Sequence, residues 1–260
     1  MLCPKCGKPL FTDKNSYKCE DNHCYDIAKE GYVNLLLSRT DSGDDKTLVN
    51  GRINFLSKGY YVNLRTFLEK IISDFSQNKE IKLLDMGCGT GYYTQNFANL
   101  ATTFGIDISK NAIKYAAKHD KKSLYIVGSN KRTPFCDNYF DILVHIFSPN
   151  FENEDLRVLK KGGIIINVEP GPKHLIELKN LLYKKAYFNE EKNHFYTHLK
   201  IKDKKSLIYQ VKIDDNDIHN LIMMTPYFYK TKKEDLQALK LNHKMDLTID
   251  FSITIFEADF

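Results

Sequence analysis

The sequence predicts an α/β fold in which a mostly parallel seven-stranded sheet follows a small metal-binding module. Five short apolar segments between residues 82 and 169 alternate with helical patterns, which is typical of a parallel sheet with right-handed crossovers. Three glycines at alternate positions directly follow the first of these segments. Four cysteines lie within the first 24 residues, a stretch too short to fold around a hydrophobic core of its own.

Two helices are predicted between the module and the sheet. Apolar residues recur at helical spacing over residues 53–56 and 64–72, with an interruption near Gly59. The five strands of the parallel part of the sheet are expected next. In chain order they are predicted at residues 82–86, 102–107, 124–127, 140–147 and 163–169.

Helices and turns are predicted to connect these strands. Residues 111–118 and 152–159 carry helical patterns, as the crossovers between parallel strands require. A turn is predicted at residues 161–163, where two glycines follow a lysine. Residues 207–213 and 247–256 alternate in polarity, which predicts two further strands, antiparallel at the edge of the sheet.

The composition is that of a globular protein, with 42% hydrophobic residues, 16 Phe and 16 Tyr among 260 residues. No apolar run approaches the ~20 residues of a membrane helix, and no signal-peptide pattern occurs. A cytoplasmic protein without membrane association is therefore expected. The net charge of +5 is compatible with an anionic partner. Residues 1–37 are predicted as the module, residues 38–50 as a polar linker and residues 51–260 as the sheet domain.

The glycine segment indicates a binding floor for S-adenosylmethionine. Gly87, Gly89 and Gly91 let the backbone turn tightly and approach a ligand closely. A helix expected just beyond them would present free N–H groups. The spacing differs from the dinucleotide-binding fingerprint, because Tyr92 stands where that pattern requires its third glycine.

A carboxylate at the end of the second strand supports this interpretation. Asp107 follows Gly91 by sixteen residues and can hydrogen-bond both hydroxyls of a ribose. The alternative is that Asp107 only caps the helix that starts near Ser109.

The first cysteines predict a structural zinc site. Cys3, Cys6 and Cys19 are followed by both His23 and Cys24, so five candidates compete for four tetrahedral positions, and His23 is favoured over Cys24. A redox Cys-x-x-Cys motif would need a preceding strand, for which the N-terminus leaves no room. Four cysteine or histidine ligands leave no open position for chemistry on a substrate.

The whole chain resembles the 23S rRNA (guanine-N1)-methyltransferase family, which joins a zinc-binding N-terminal module to a class I (Rossmann-like) methyltransferase fold. The glycine segment alone fits many methyltransferases, whereas the zinc pattern and the other blocks are far more specific. The matching blocks are Cys3-Pro4-Lys5-Cys6, Asn15–Cys19, Ala28–Leu36, Asp41–Asp44, Phe55-Leu56, Gly59–Tyr61, Gly87–Thr94, Phe104–Lys110, Pro170–Leu175 and Met224–Pro226.

The resemblance implies the activity and assigns several residues. It makes His23 the fourth zinc ligand and brings Tyr61, Gly89, Thr90 and His174 to S-adenosylmethionine. Tyr61 has core packing as its alternative role, and His174 has the opening of a helix. The full predicted cofactor site is Tyr61, Asp85, Gly87, Gly89, Thr90, Gly91, Asp107 and His174. Asp85 is expected to orient the glycine segment or the amino end of the cofactor, or simply to end its strand.

The target base is expected beside residues 146–150, which follow the fourth strand at the carboxyl edge of the sheet. Phe147 is a candidate for stacking on a flipped guanine, and Ser148 and Asn150 are candidates for hydrogen bonds to its edge. Neutral guanine carries a proton on N1 that must leave, so a base or stabilisation of the anion is required. The sequence does not name that base, because the side chain of His145 can point to either face.

The expected partners are 23S rRNA and S-adenosylmethionine, with a homodimer left open. The module is interpreted as an RNA-recognition platform, because Lys5, Lys8, Lys14 and Lys18 outnumber Asp13 before residue 19. A solvated charged face is the plain alternative. Two rival functions also stay open: a methyltransferase acting on another RNA or a small molecule, and a non-catalytic zinc-containing RNA-binding protein.

Overall fold

The computed structural model describes residues 1–37, 45–77, 79–183, 188–190, 196–225, 227–230 and 244–259. The predicted linker at 38–50 and the block Asp41–Asp44 lie mostly outside these ranges. Within the parts of the chain that are described, no helix is both long and apolar enough to cross a lipid bilayer.

The N-terminal module is a three-stranded antiparallel sheet. Its strands are β1 (Phe11–Asp13), β2 (Ser16–Lys18) and β3 (Cys24–Asp26). A further short strand, β4 (Val33–Asn34), leaves the module and pairs in parallel with the central sheet. Among the described residues, the central sheet therefore has eight strands. The predicted number of seven was wrong because a two-residue strand has no periodicity to detect.

The central sheet has the order β10-β11-β9-β8-β5-β6-β7-β4. Adjacent strands from β4 to β9 are parallel, and β11 is antiparallel to both β9 and β10. The strands are β5 (Lys82–Met86), β6 (Thr102–Asp107), β7 (Leu124–Val127), β8 (Phe140–Ile146), β9 (Leu159–Pro170), β10 (Lys200–Ile213) and β11 (Met245–Glu257). The five parallel strands and the antiparallel pair are confirmed.

The turn predicted at residues 161–163 is part of a bulge inside β9. Phe140 pairs with Leu159, but Ile142 already pairs with Ile164, so β9 contains extra residues at this point. Gly162 has φ +73°, which lets the bulge form without breaking the strand. The two glycines therefore do mark an irregularity of the backbone, but the strand continues through it as a bulge.

Eight helices are described around the sheet. They are α1 (Lys46–Ser57), α2 (Val62–Ser76), α3 (Thr94–Phe97), α4 (Lys110–His119), α5 (Glu152–Val158), α6 (Ile176–Leu182), α7 (Asp215–Met223) and α8 (Tyr227–Lys230). Residues 46–50 were predicted as linker but begin α1. Asp45 caps this helix by accepting a hydrogen bond from the Leu48 amide at 2.9 Å, and Leu48 and Val49 are buried.

The module shares a core with the sheet. Val33 and Leu35 are fully or almost fully buried in one cluster with Leu84, Phe140 and Phe256. Backbone hydrogen bonds from Leu2 to Pro134 and from Leu35 to Val127, at 2.8 and 2.9 Å, strengthen the contact. The domain boundary predicted at residue 37 stays a prediction, and the module packs against the sheet domain through this shared cluster. The opposite face of the sheet is covered by α1, α2 and α7.

Candidate functional site

The glycine segment forms an open cradle beyond β5. Gly89 has φ +53°, and a Cβ placed there would meet only the guanidinium of Arg52, at 3.4 Å. Gly87 is different, because a Cβ there would lie 2.7 Å from the Cβ of Ser148. Gly87 thus allows the substrate-side segment to approach, whereas Gly89 leaves a surface that a ligand can reach. Arg52 was not predicted as a site residue, since nothing in its helical context distinguishes it.

Asp107 is bound to this cradle. Its Oδ2 accepts a hydrogen bond from the Gly89 amide at 2.9 Å, and its Oδ1 accepts one from the Ser109 amide at 2.7 Å. The residue that caps α4 is Ser109, whose hydroxyl accepts from the Ala112 amide. The capping alternative for Asp107 is therefore not what the structure shows. A carboxylate has about four acceptor positions, so one carboxylate can bind backbone amides and ribose hydroxyls at the same time.

Asp85 is buried at the end of β5 and accepts a hydrogen bond from the Thr94 hydroxyl at 2.6 Å. Burial raises the pKa of Asp85 to about 7, although the bond from Thr94 acts in the opposite direction. This contact ties β5 to α3 and so shapes the glycine segment between them, where Thr90 is also buried. The helix expected after the glycines has only four residues. The cradle therefore consists of loop backbone and not of a helix terminus.

Tyr61 and His174 form a buried pair beside the cradle. Their Oη and Nε2 atoms are 3.4 Å apart, and Nδ1 of His174 accepts a hydrogen bond from the Asp250 amide at 3.2 Å. Burial, aided by Lys179, lowers the pKa of His174 to about 3. The imidazole is thus neutral with its proton on Nε2, which donates to Tyr61. Helix α6 begins only at Ile176, so His174 does not open it.

Phe147 stands at the mouth of the site. It has φ +55°, a strained conformation for a bulky residue, and 43% of its surface is exposed. Its ring is stacked 6.3 Å from that of His174, centroid to centroid. The adjacent Ser148 donates a hydrogen bond to the Met86 carbonyl. The segment after β8 therefore connects the glycine cradle with the Tyr61–His174 pair.

Asn150 is less available than the sequence suggested. Its amide nitrogen donates to Tyr196 Oη at 2.7 Å and to Asn167 Oδ1 at 3.2 Å. Both of its N–H groups are engaged within the protein, so Asn150 supports the segment and its donors do not face a base. Its assignment to the substrate side stays a prediction.

His145 points into the protein, toward Ser148 and Asp155. Its Nδ1 is 3.2 Å from Ser148 Oγ, and its Nε2 is 3.4 Å from Asp155 Oδ2. The sequence left its direction open because both faces of β8 are buried and alternation carries no information. Asp155 was missed altogether, since it lies on a helix that is acidic in its first turn and resembles an ordinary capped surface helix.

Cys3, Cys6, Cys19 and His23 converge in the module. Their ligand atoms all lie within 4.8 Å of one another. His23 Nδ1 is 3.4 Å from Cys3 Sγ and 3.5 Å from Cys19 Sγ. Cys24 is exposed on β3, opposite Lys18, and is not part of this group. Three thiols and one imidazole this close together can coordinate one zinc ion tetrahedrally. Such a site has no open coordination position for a substrate.

Comparisons with known proteins agree with both parts. Residues 1–39 match the zinc-ribbon family described as "RlmA, N-terminal", and residues 84–167 match the family described as "Methyltransferase domain". The crystal structure of the YcgJ protein from Bacillus subtilis has a TM-score of 0.50 at 16% identity, covering 72% of this chain and 96% of that one. Fold and site together define a class I S-adenosylmethionine-dependent methyltransferase with a zinc-binding module.

A relative from Bacillus subtilis (strain 168), named putative 23S rRNA (guanine-N(1)-)-methyltransferase YxjB, is 30% identical over 97% of this chain and 95% of its own length. The chain belongs to the 23S rRNA (guanine-N1)-methyltransferase family. The 23S rRNA (guanine(748)-N(1))-methyltransferase of Streptomyces fradiae is 26% identical with the same coverage. S-adenosylmethionine is the cofactor that the methyltransferase domain implies, and zinc is the structural metal of the module.

Proposed function

We propose that this enzyme transfers the methyl group of S-adenosylmethionine to N1 of a guanine in a hairpin of 23S rRNA. The observation that carries the proposal is the match to relatives of that name along the zinc module as well as the methyltransferase domain. A small-molecule methyltransferase needs no such module. The geometry adds a support of its own, because an exposed aromatic ring stands beside the cofactor cradle.

The chain's residues would position the two reactants. The backbone at Gly89 would contact the cofactor closely, and Asp107 would hydrogen-bond its ribose. The Tyr61–His174 pair would form the wall beside this glycine cradle. When bound, the cofactor supplies an electrophilic methyl group. Phe147 would stack on the extruded guanine at the mouth, as aromatic side chains do with unstacked RNA bases. Such positioning is the main contribution that the protein makes to a methyl transfer.

The surface between the module and the sheet domain fits RNA. A cavity of about 650 Å³ lies there, and Lys131 and Arg132 are exposed in its lining. Lys5 and Lys14 are exposed on the module. Two other predicted contributors are already paired, since Lys8 binds Asp21 at 2.6 Å and Lys18 binds Asp13. The positive charge available for phosphate is therefore smaller on the module than the sequence suggested, and continues onto the sheet domain.

Neutralising the exposed cations of the module and the cavity lining is expected to weaken RNA binding and its salt dependence. The variant carries glutamine at Lys5, Lys14, Lys131 and Arg132. The slope of log affinity against log salt should flatten by about 0.7 to 0.9 per lost phosphate contact, while cofactor affinity stays unchanged. Fluorescence anisotropy with a labelled hairpin at several salt concentrations measures the RNA affinity and its salt dependence.

A matched control variant carries glutamine at four exposed lysines outside the cavity lining, namely Lys58, Lys70, Lys79 and Lys118. It changes the net charge by the same amount and should leave the slope nearly intact. Equal flattening in both variants would show that the effect is general and that the four substituted cations of the module and the cavity lining form only a solvated face.

The activity itself is tested with a synthetic 23S rRNA hairpin, labelled cofactor and purified protein. We expect 1-methylguanosine after digestion and mass analysis, no product from a hairpin that already carries this modification, and no product from free guanosine or GTP. Methylation of the free nucleoside would favour the small-molecule alternative. Cofactor binding without transfer to any RNA would favour the non-catalytic alternative.

A further inference from the structure

A chain of polar side chains runs from the glycine cradle into the core. Ser148 Oγ donates to the carbonyl of Met86, the last residue of β5, and is 3.2 Å from His145 Nδ1. His145 Nε2 is 3.4 Å from Asp155 Oδ2. That oxygen also accepts a hydrogen bond from Tyr196 Oη at 2.7 Å. The side chains of His145 and Asp155 are completely buried.

Burying this series of polar side chains lowers the stability of the fold, because not all of their polar atoms form hydrogen bonds. Among the described residues, His145 Nε2 and Asp155 Oδ1 have no hydrogen-bond partner at the geometry observed. A buried polar atom without a partner costs about 1–3 kcal/mol, and more when the group is charged. Purely structural packing would be served better by apolar residues. An imidazole between a hydroxyl and a buried carboxylate is, in contrast, the arrangement that activates a hydroxyl in many enzymes.

We propose that His145 is the final acceptor of the proton that leaves guanine N1, reached through the hydroxyl of Ser148 and held as a cation beside Asp155. The inference rests on the proposed function. It makes Ser148 the group that contacts the base and His145 a positioning residue that acts through Ser148. Asp155 stabilises the charged imidazole and fixes its ring.

The proposed step balances atoms and charge. The N1–H bond breaks and its proton passes to Ser148 Oγ, while the hydroxyl proton of Ser148 passes to Nδ1 of His145. The N1 lone pair forms the bond to the methyl group, and the electron pair of the broken carbon–sulfur bond stays on sulfur. Neutral methylguanine and a neutral thioether result. The positive charge of the sulfonium thus ends on His145, from which the proton later leaves to water.

The hydroxyl of Ser148 has one proton and two acceptors within reach. With the proton directed to the Met86 carbonyl, Ser148 Oγ accepts from Nδ1–H of His145; with it directed to Nδ1, His145 holds its own proton on Nε2, facing Asp155. The second arrangement is the reactive one. Ser148 Oγ lies 3.3 Å from where a Cβ at Gly87 would stand, which puts the hydroxyl at the cofactor cradle.

The groups that face His145 are acidic or uncharged. Asp155 approaches from α5, and Tyr196 reaches the same carboxylate from the segment before β10. Asp85 on β5 interacts electrostatically with His145, and burial raises its own pKa to about 7. The neighbouring strand β9 presents the uncharged Asn167, paired with His145 in register.

The test is single-turnover methylation of the hairpin at saturating cofactor, measured as a function of pH. In the wild-type enzyme the rate should rise with pH and then reach a plateau, because His145 must be neutral to accept the proton. His145→Asn keeps an N–H for Ser148 but accepts no proton. Its rate near neutrality should fall by about 10²- to 10⁴-fold and then rise about tenfold per pH unit without a plateau, since N1 must ionise unaided.

Asp155→Asn serves as the second variant, because it preserves an oxygen for Tyr196 and is nearly isosteric. Loss of its charge destabilises the imidazolium, so the rate should fall and the rising limb should move to lower pH. The control is His198→Asn, which removes an exposed histidine 3.3 Å from Glu152 and should keep the wild-type pH profile. Cofactor affinity and unfolding midpoint are measured for each variant.

A plateau retained in His145→Asn, with either an unchanged rate or a uniform loss at all pH values, would overturn the proposal and leave His145 a structural residue. An unshifted profile in Asp155→Asn would do the same, even if the histidine variant does not fold. A wild-type enzyme that makes no 1-methylguanosine would instead refute the proposed function. The two failures are therefore distinguishable.

Discussion

Replacing Gly89 by aspartate is expected to abolish binding of S-adenosylmethionine while the protein stays folded. Gly89 has φ +53°, in the left-handed region that aspartate tolerates better than most residues. Its Cβ would meet only the end of Arg52, at 3.4 Å, so the local packing survives. The new side chain would nevertheless enter the cradle, and its charge would stand beside Asp107, whose Oδ2 lies 2.9 Å from the Gly89 nitrogen.

Isothermal calorimetry should show an affinity lower by at least about 100-fold, equivalent to about 2.7 kcal/mol. Gly162→Asp is the matched control, because Gly162 also has positive φ and no atom within 4 Å of its ideal Cβ, but lies in the bulge of β9. Its affinity should match that of the wild type. Unchanged affinity in Gly89→Asp would show that the cradle is not the cofactor floor.

Replacing Cys19 by serine is expected to remove the zinc and to destabilise more than the module. Structural zinc contributes on the order of 10 kcal/mol to folding small metal sites. Because β4 pairs with β7, and Val33 and Leu35 are buried in the core that the module shares with the sheet, loosening the module removes part of that core. Elemental analysis should find about one zinc per chain in the wild type and none in the variant, whose unfolding midpoint should fall.

The choice of the fourth ligand is tested by a matched pair. His23→Ala should lose zinc, since Nδ1 of His23 lies within 3.5 Å of two of the three sulfurs. Cys24→Ala should retain it, because Cys24 is exposed and outside the cluster. The reverse result would make Cys24 the ligand. An unfolding midpoint unaffected by loss of zinc would show that the module does not support the sheet.

Much of the fold could be predicted from the sequence, because its helices and strands show a regular hydrophobic periodicity and are bounded by glycines and other turn residues. Strand β5 was located to the residue, since a five-residue segment with three apolar residues runs into glycines, and β6 ends at the carboxylate proposed to bind ribose. The strand β4 was not accessible. It has two residues and exists only because β7 offers it an edge, which is a tertiary effect that local pattern cannot express.

Site residues could be predicted from the sequence where their role depends on residue type. They could not be predicted where the role depends on the direction in which a side chain points. The spacing of the glycines, the cysteines and Asp107 predicts the roles that we propose for them. His145 did not, because its strand is buried on both faces, and Asp155 becomes significant only when α5 folds back against β8. The pairing of Lys8 with Asp21 is likewise a three-dimensional fact that a count of charges before residue 19 does not include.

The most direct test of the account is mass mapping of 23S rRNA from cells with and without the gene. We expect one guanine to carry a methyl group on N1 in the parent strain and to lack it in the deletion strain. The wild-type gene should restore the modification, and the Gly89→Asp gene, expressed at the same level, should not. Identical 23S rRNA methylation in the parent and deletion strains would contradict the account.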